Sequence, residues 1–71
     1  MGQLQPKPLL RLKAARIARG WTQLELAYRS RVPVSELSRI ETGRTQPYPN
    51  HADRLAETLG LTPEELLEAV E

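Results

Sequence analysis

Cysteine is missing from the sequence altogether, which excludes a disulfide frame, a thiolate metal site and a cysteine nucleophile. Histidine occurs once, at His51, so no cluster of imidazole ligands for a metal can be assembled either. Phenylalanine is absent and tryptophan and tyrosine supply only three aromatic residues, so Leu, Ile, Val and Ala must build the core. Such a core suits packed helices better than stacked sheets. No apolar run approaches the roughly 18 residues of a membrane span, and Met1 to Pro8 lacks the apolar stretch of a signal peptide. The expected compartment is the cytoplasm, with no membrane contact and no cofactor.

Seventy-one residues suffice for one domain near the lower size limit for folding without metal or disulfide. The net charge of +1 hides a strong asymmetry. Residues 1–44 hold nine Lys and Arg against three Glu, giving +6, and residues 45–71 hold one Arg against six acids, giving −5. A chain divided in this way is expected to turn its basic part toward a polyanion.

Local signals divide the chain into an arm and five short helices. Residues 1–8, with two prolines and a glycine, read as a flexible N-terminal arm, and residues 9–71 as the folded domain. Leu9, Leu12, Ala15 and, less regularly, Ile17 recur at helical spacing up to Gly20, which is placed to end a first helix. Thr22 followed by Glu25 is a capping-box signature, so a second helix starts at Gln23, buries Leu26 and Ala27, with Leu24 as a further candidate, and ends near Ser30. A third begins at or just after Pro33 and closes at Gly43. Its Leu37 and Ile40 share one side, and Val34, Ser35, Ser38 and Arg39 fall on the other at about 100° per residue. Pro49 opens a fourth helix with a stripe of Ala52, Leu55, Ala56 and Leu59, stopped by Gly60. Thr62, Pro63 and Glu65 repeat the start signal for a fifth, carrying Leu66, Leu67 and Val70. The fold class is all-α.

The run Gly20-Trp21-Thr22-Gln23-Leu24-Glu25-Leu26-Ala27, then Val32, Leu37-Ser38-Arg39-Ile40-Glu41, Gly43-Arg44, Pro47, Leu55-Ala56 and Leu59-Gly60-Leu61 resembles the Cro/C1-type helix-turn-helix family of phage repressors and bacterial regulators. The resemblance covers residues 9 to 67. It implies a compact lambda-repressor-like bundle in which the second and third helices form the helix-turn-helix and the third lies in the major groove of double-stranded DNA. On that basis Val34, Ser35, Ser38 and Arg39 are the expected base-contacting residues. Arg39 leads, because a guanidinium can bond guanine O6 and N7 together; the competing role for it is a surface ion pair with Glu36 or Glu25.

By the same resemblance Gln23, at a helix start where free amides attract an anion, would hold a backbone phosphate. Arg44 and Gln46 would flank the groove, with Arg11 and Lys13 as further phosphate contacts that set register but carry little sequence information. Arg16 and Glu41 stand where some family members form a buried ion pair. Two positions depart from the family: Arg31 replaces a common turn glycine, and Pro33 replaces the Ser, Thr or Asn cap of the third helix. The expected function is regulation of transcription, as a repressor, by a homodimer on two-fold related half-sites about 34 Å apart. Leu66, Leu67 and Val70 are the candidate dimer surface. The alternative is an antitoxin or other protein-interaction module in which the bundle seats a protein partner. Catalysis is not expected, since Ser30, Ser35, Ser38 and His51 form no nucleophile–base pattern and no glycine-rich phosphate loop is present.

Overall fold

The computed structural model describes residues 9–70; the expected arm over residues 1–8, and Glu71, lie outside them. Four α-helices, α1 (Arg11–Ala18), α2 (Gln23–Ser30), α3 (Val34–Glu41) and α4 (Pro49–Leu59), are followed by a 3-10 helix, Pro63–Leu67. α2 packs on α3 and α4, while α1 packs on α4 and on the 3-10 helix. Among the described residues, no helix is long and apolar enough to cross a membrane.

The helix starts differ in how their free amides are satisfied. At α2 the Thr22 hydroxyl accepts from the Glu25 amide at 3.0 Å, but the expected return half of the box does not form. The Glu25 carboxylate accepts instead from Arg29 Nε one turn later, at 2.7 Å, because an i,i+4 pair within the helix offers it a charged donor. At the 3-10 helix both halves form: Thr62 Oγ1 accepts from the Glu65 amide and Glu65 Oε1 accepts from the Thr62 amide. Pro33 precedes α3 as its cap residue and contributes no side-chain bond. α3 starts at Val34, where Pro33 lends only its preset backbone and its carbonyl, which accepts from the Leu37 amide at 2.9 Å.

Between α2 and α3 the chain turns on Arg31, whose φ of 61° and ψ of 38° place a non-glycine residue in the left-handed region. The conformation costs roughly 1–2 kcal/mol for a residue with a Cβ. It is held from α4: Arg54 Nε donates to the Ser30 carbonyl and its Nη2 to the Arg31 carbonyl, both at 3.1 Å. Gly43 takes a φ of 77° and turns the chain out of α3, a conformation glycine adopts without steric cost.

The core consists of Leu12, Leu26, Ala27, Val32, Leu37, Ile40, Leu55, Ala56, Leu59 and Leu66, with Ala15, Trp21, Ala52, Leu61 and Leu67 around it. Each fully buried leucine contributes about 1.5–3 kcal/mol, so seven such aliphatic chains carry most of the drive for a domain of this size. Leu24 is not among them. It is 67% exposed because it lies about two steps of 100° from Leu26, on the opposite side of α2. Ile17 is likewise exposed, and the inward position of that turn belongs to Arg16.

The two ends of the described chain are also shaped differently from a five-helix expectation. α1 starts at Arg11, and Leu9 and Leu10 precede it as extended chain. The fifth helix is only the five-residue 3-10 segment, after which Glu68 turns extended (φ −72°, ψ 139°). The reason is a short antiparallel pairing. Leu10 bridges Ala69, the Arg11 amide donates to the Glu68 carbonyl at 2.8 Å, and the Val70 amide donates to the Leu9 carbonyl at 2.9 Å. Val70 therefore belongs to an extended tail and not to a helix.

Candidate nucleic-acid interface

A buried polar network sets the position of α3. Arg16 of α1 grips Glu41 at the end of α3 with two bonds, Nε to Oε2 at 2.8 Å and Nη2 to Oε1 at 3.0 Å. Its remaining nitrogen, Nη1, donates to the Trp21 carbonyl at 2.7 Å. Gln23, at the start of α2, donates from Nε2 to Glu41 Oε1 at 2.9 Å. Glu41 thus ties α3 to α1 and α2, and Arg16 extends the network to the α1–α2 turn. Removing one member would leave a buried charge without its partner, a loss of about 3–5 kcal/mol. The half-buried Gln23 side-chain amide is therefore engaged with protein through Nε2, and its Oε1 has no partner among the described residues.

From the other side α3 is held by α4. Glu36 is buried, 8% exposed, and its Oε2 accepts from the Nδ1 of His51 at 2.8 Å. His51 also meets the Tyr48 ring edge-on, with centroids 5.6 Å apart. Glu36 is thereby unavailable to Arg39, and Glu25 is committed to Arg29. The surface pairing weighed for Arg39 is not formed. Its guanidinium is exposed and has no ion pair or hydrogen bond among the described residues.

With those acids turned inward, α3 presents Val34, Ser35 and Arg39 on one exposed face, with Ser38 half-buried beside them. Val34 is 39% exposed, enough for its methyl groups to meet a ligand. At the end of α3 the Arg44 amide donates to the Arg39 carbonyl at 2.9 Å, so the loop carrying the exposed Arg44 and Gln46 leaves the helix next to Arg39. Gly43, Arg44 and Gln46, together with Leu10, Ile40 and Leu67, border an open cavity of about 490 Å³. Lys13 is half-buried on α1. Arg11 is drawn away toward Glu68, whose Oε1 accepts from its Nε at 3.2 Å, an exposed pair worth little in energy.

The candidate dimer surface needs correction. Leu66 is 0% exposed and belongs to the core, because the 3-10 helix presses it between α1 and α4. Leu67 is half-buried against the same core, and Val70 is half-buried on the extended tail. Leu66 is closed to any partner.

Residues absent from the expected site also matter. His51 and Arg54 reach α3 and the α2–α3 corner from α4 across 15 and 24 residues of sequence, distances at which no helical period operates. Arg19 of the α1–α2 turn donates from Nη2 to the Leu59 carbonyl at 3.0 Å, closing the end of α4. The one signal available for Arg54 was Arg31 itself, since a non-glycine left-handed turn needs something to hold it.

Residues 12–66 match the Helix-turn-helix family. Among solved structures, the restriction-modification controller protein C.AhdI from Aeromonas hydrophila superposes with a TM-score of 0.71 at 32% sequence identity, covering 80% of this chain and 86% of that one. No curated protein matches the chain. An outward α3 braced by a buried Arg–Glu–Gln network, a family match across most of the length and a like fold in a controller protein have one common account: the chain belongs to the helix-turn-helix family of Cro/C1-type DNA-binding transcription regulators.

Proposed function

We propose that the chain is a sequence-specific transcriptional regulator that reads duplex DNA by inserting α3 into the major groove. The observation that carries this reading is the division of charge on α3. Its acids are bound internally, to Arg16 and His51, and its one arginine is exposed on the outer face and unpaired among the described residues. An unpaired guanidinium beside Val34, Ser35 and Ser38 suits guanine O6 and N7, flanked by a thymine methyl or a further hydrogen-bonding edge. Arg44, Gln46, Lys13 and Arg11 would meet phosphates along the edges of the groove, and Gln23 would do so through its backbone amide at the start of α2. Arg11 would exchange Glu68 for DNA at small cost.

A unit of this size reads few bases, so two copies on half-sites about 34 Å apart would supply the specificity. That dimer would have to use surface other than Leu66. The likeness to a restriction-modification controller protein makes genes of a restriction–modification system the first place to look for the operator, where binding would repress transcription. Selection of bound duplexes from a random pool tests the reading. A recurrent two-fold motif, bound with an affinity that falls steeply as salt rises, is the expected result. Recovery of unenriched sequence would sink the specific reading and favour a protein-binding module.

A further inference from the structure

The corner between α2 and α3 carries a second basic feature, and no residue of α3 contributes to it. Arg29, Arg31 and Arg54, with Ser30, Glu57 and Thr58, line an open cavity of about 290 Å³. Three arginines and one carboxylate, Glu57, therefore border one space, and Arg29 is also paired with Glu25 beside it.

Two of the three are already oriented. Arg54 is fixed by its bonds to the Ser30 and Arg31 carbonyls, which leave Nη1 without a partner among the described residues. Arg29 lies over the Trp21 ring, 4.5 Å from its centroid, with Nε directed to Glu25. Such stacking and bonding remove much of the side-chain freedom that binding would otherwise have to restrict. Arg31 is the informative member. Its side chain makes no hydrogen bond or ion pair among the described residues, yet its backbone holds a left-handed φ of 61° that glycine would take without strain. Arg54 holds the turn through its backbone carbonyls, but nothing among the described residues pairs with the Arg31 side chain; a ligand of opposite charge would.

We propose that this cavity is an oxyanion site that takes a phosphate group, carried either by a free phosphorylated small molecule or by a DNA backbone passing the corner. Planar guanidinium forks match phosphate oxygens in pairs, and arginines that border one space sit together at least cost when an anion lies among them. The site is separate from the α3 face, and it stands or falls without the DNA-reading role of that helix.

The test starts without DNA. Inorganic pyrophosphate is titrated into the full chain at low salt and followed by NMR of the arginine Nε–H groups and backbone amides. Saturable shifts are expected at residues 29–31 and 54–58. Arg31→Gly should weaken pyrophosphate about tenfold by removing one charged donor. Because this change also relieves the left-handed strain, the variant should melt no lower than the parent, which separates lost binding from lost fold. Arg39→Ala should bind pyrophosphate like the parent. Shifts that do not saturate, that centre on Arg39 and Arg44, or that are unchanged in Arg31→Gly would overturn the proposal. A second arm identifies the source of the phosphate. Pyrophosphate that still binds the duplex-bound protein points to a free ligand. Competition by duplex, with Arg31→Gly lowering the salt slope of DNA binding by about one unit, points to the DNA backbone.

Discussion

On its inner side α3 carries two acids, Glu36 and Glu41, and each is met by a nitrogen donor from another helix, His51 of α4 and Arg16 of α1. On its outer side it carries one base, Arg39, and nothing among the described residues meets it. The two arrangements follow from the same rule applied to different surroundings. A carboxylate turned into a bundle loses its water and must be compensated by hydrogen bonds. A guanidinium left in water needs no partner until a ligand arrives. Charge on the inner face fixes where the helix lies, and charge on the outer face is free to act on something else.

Breaking the inner face should have the largest effect. Arg16→Met leaves Glu41 buried with only Gln23 beside it, and should lower stability by about 3–5 kcal/mol in urea unfolding. The double change Arg16→Met with Glu41→Leu should recover most of that loss, since well-packed apolar groups replace buried ion pairs at little cost. A single-variant loss below about 1 kcal/mol, the size of a surface pair, would remove the network as the brace of α3. His51→Ala should cost less, about 1–3 kcal/mol, the usual penalty for stranding one buried acceptor. Retention of parental stability by that variant would show that Glu36 finds water in its place.

The outer face should behave in the opposite way. Arg39→Ala should leave unfolding within about 0.5 kcal/mol of the parent while relaxing preference at one base pair by about 1–3 kcal/mol in competition binding. A large stability change there would erase the contrast between the faces. The smallest effect is expected from Arg44→Ala, which should weaken all duplexes alike and reduce the slope of log affinity against log salt by about one unit.

Those contrasts were only partly legible beforehand. Thr22, Pro49, Gly43 and Gly60 marked the ends of helices because caps, first-turn prolines and left-handed glycines act on the residues next to them. The outward set on α3 followed from periodicity for the same reason. What failed was local in pattern but decided at a distance. Leu24 looked apolar and is solvent-facing, because α2 already spends its inward positions on Leu26, Ala27 and Ser30. Val70 continued a helical pattern in sequence, but backbone pairing with Leu9 drew it into extended chain. The links from His51 to Glu36 and from Arg54 to the α2–α3 corner join separate helices and leave no trace in residue spacing. The proximity of Arg16 and Glu41, 25 positions apart, came into view only through likeness to a family.

The pairing of residues 9–11 with 68–70 makes the domain nearly a closed ring. A short peptide joining those segments would complete the circle with little strain, and the chain could then be opened at another surface loop without changing which helices touch. Helix order along the polymer is in that sense separable from helix order in space, and a rearranged chain should fold to the same bundle.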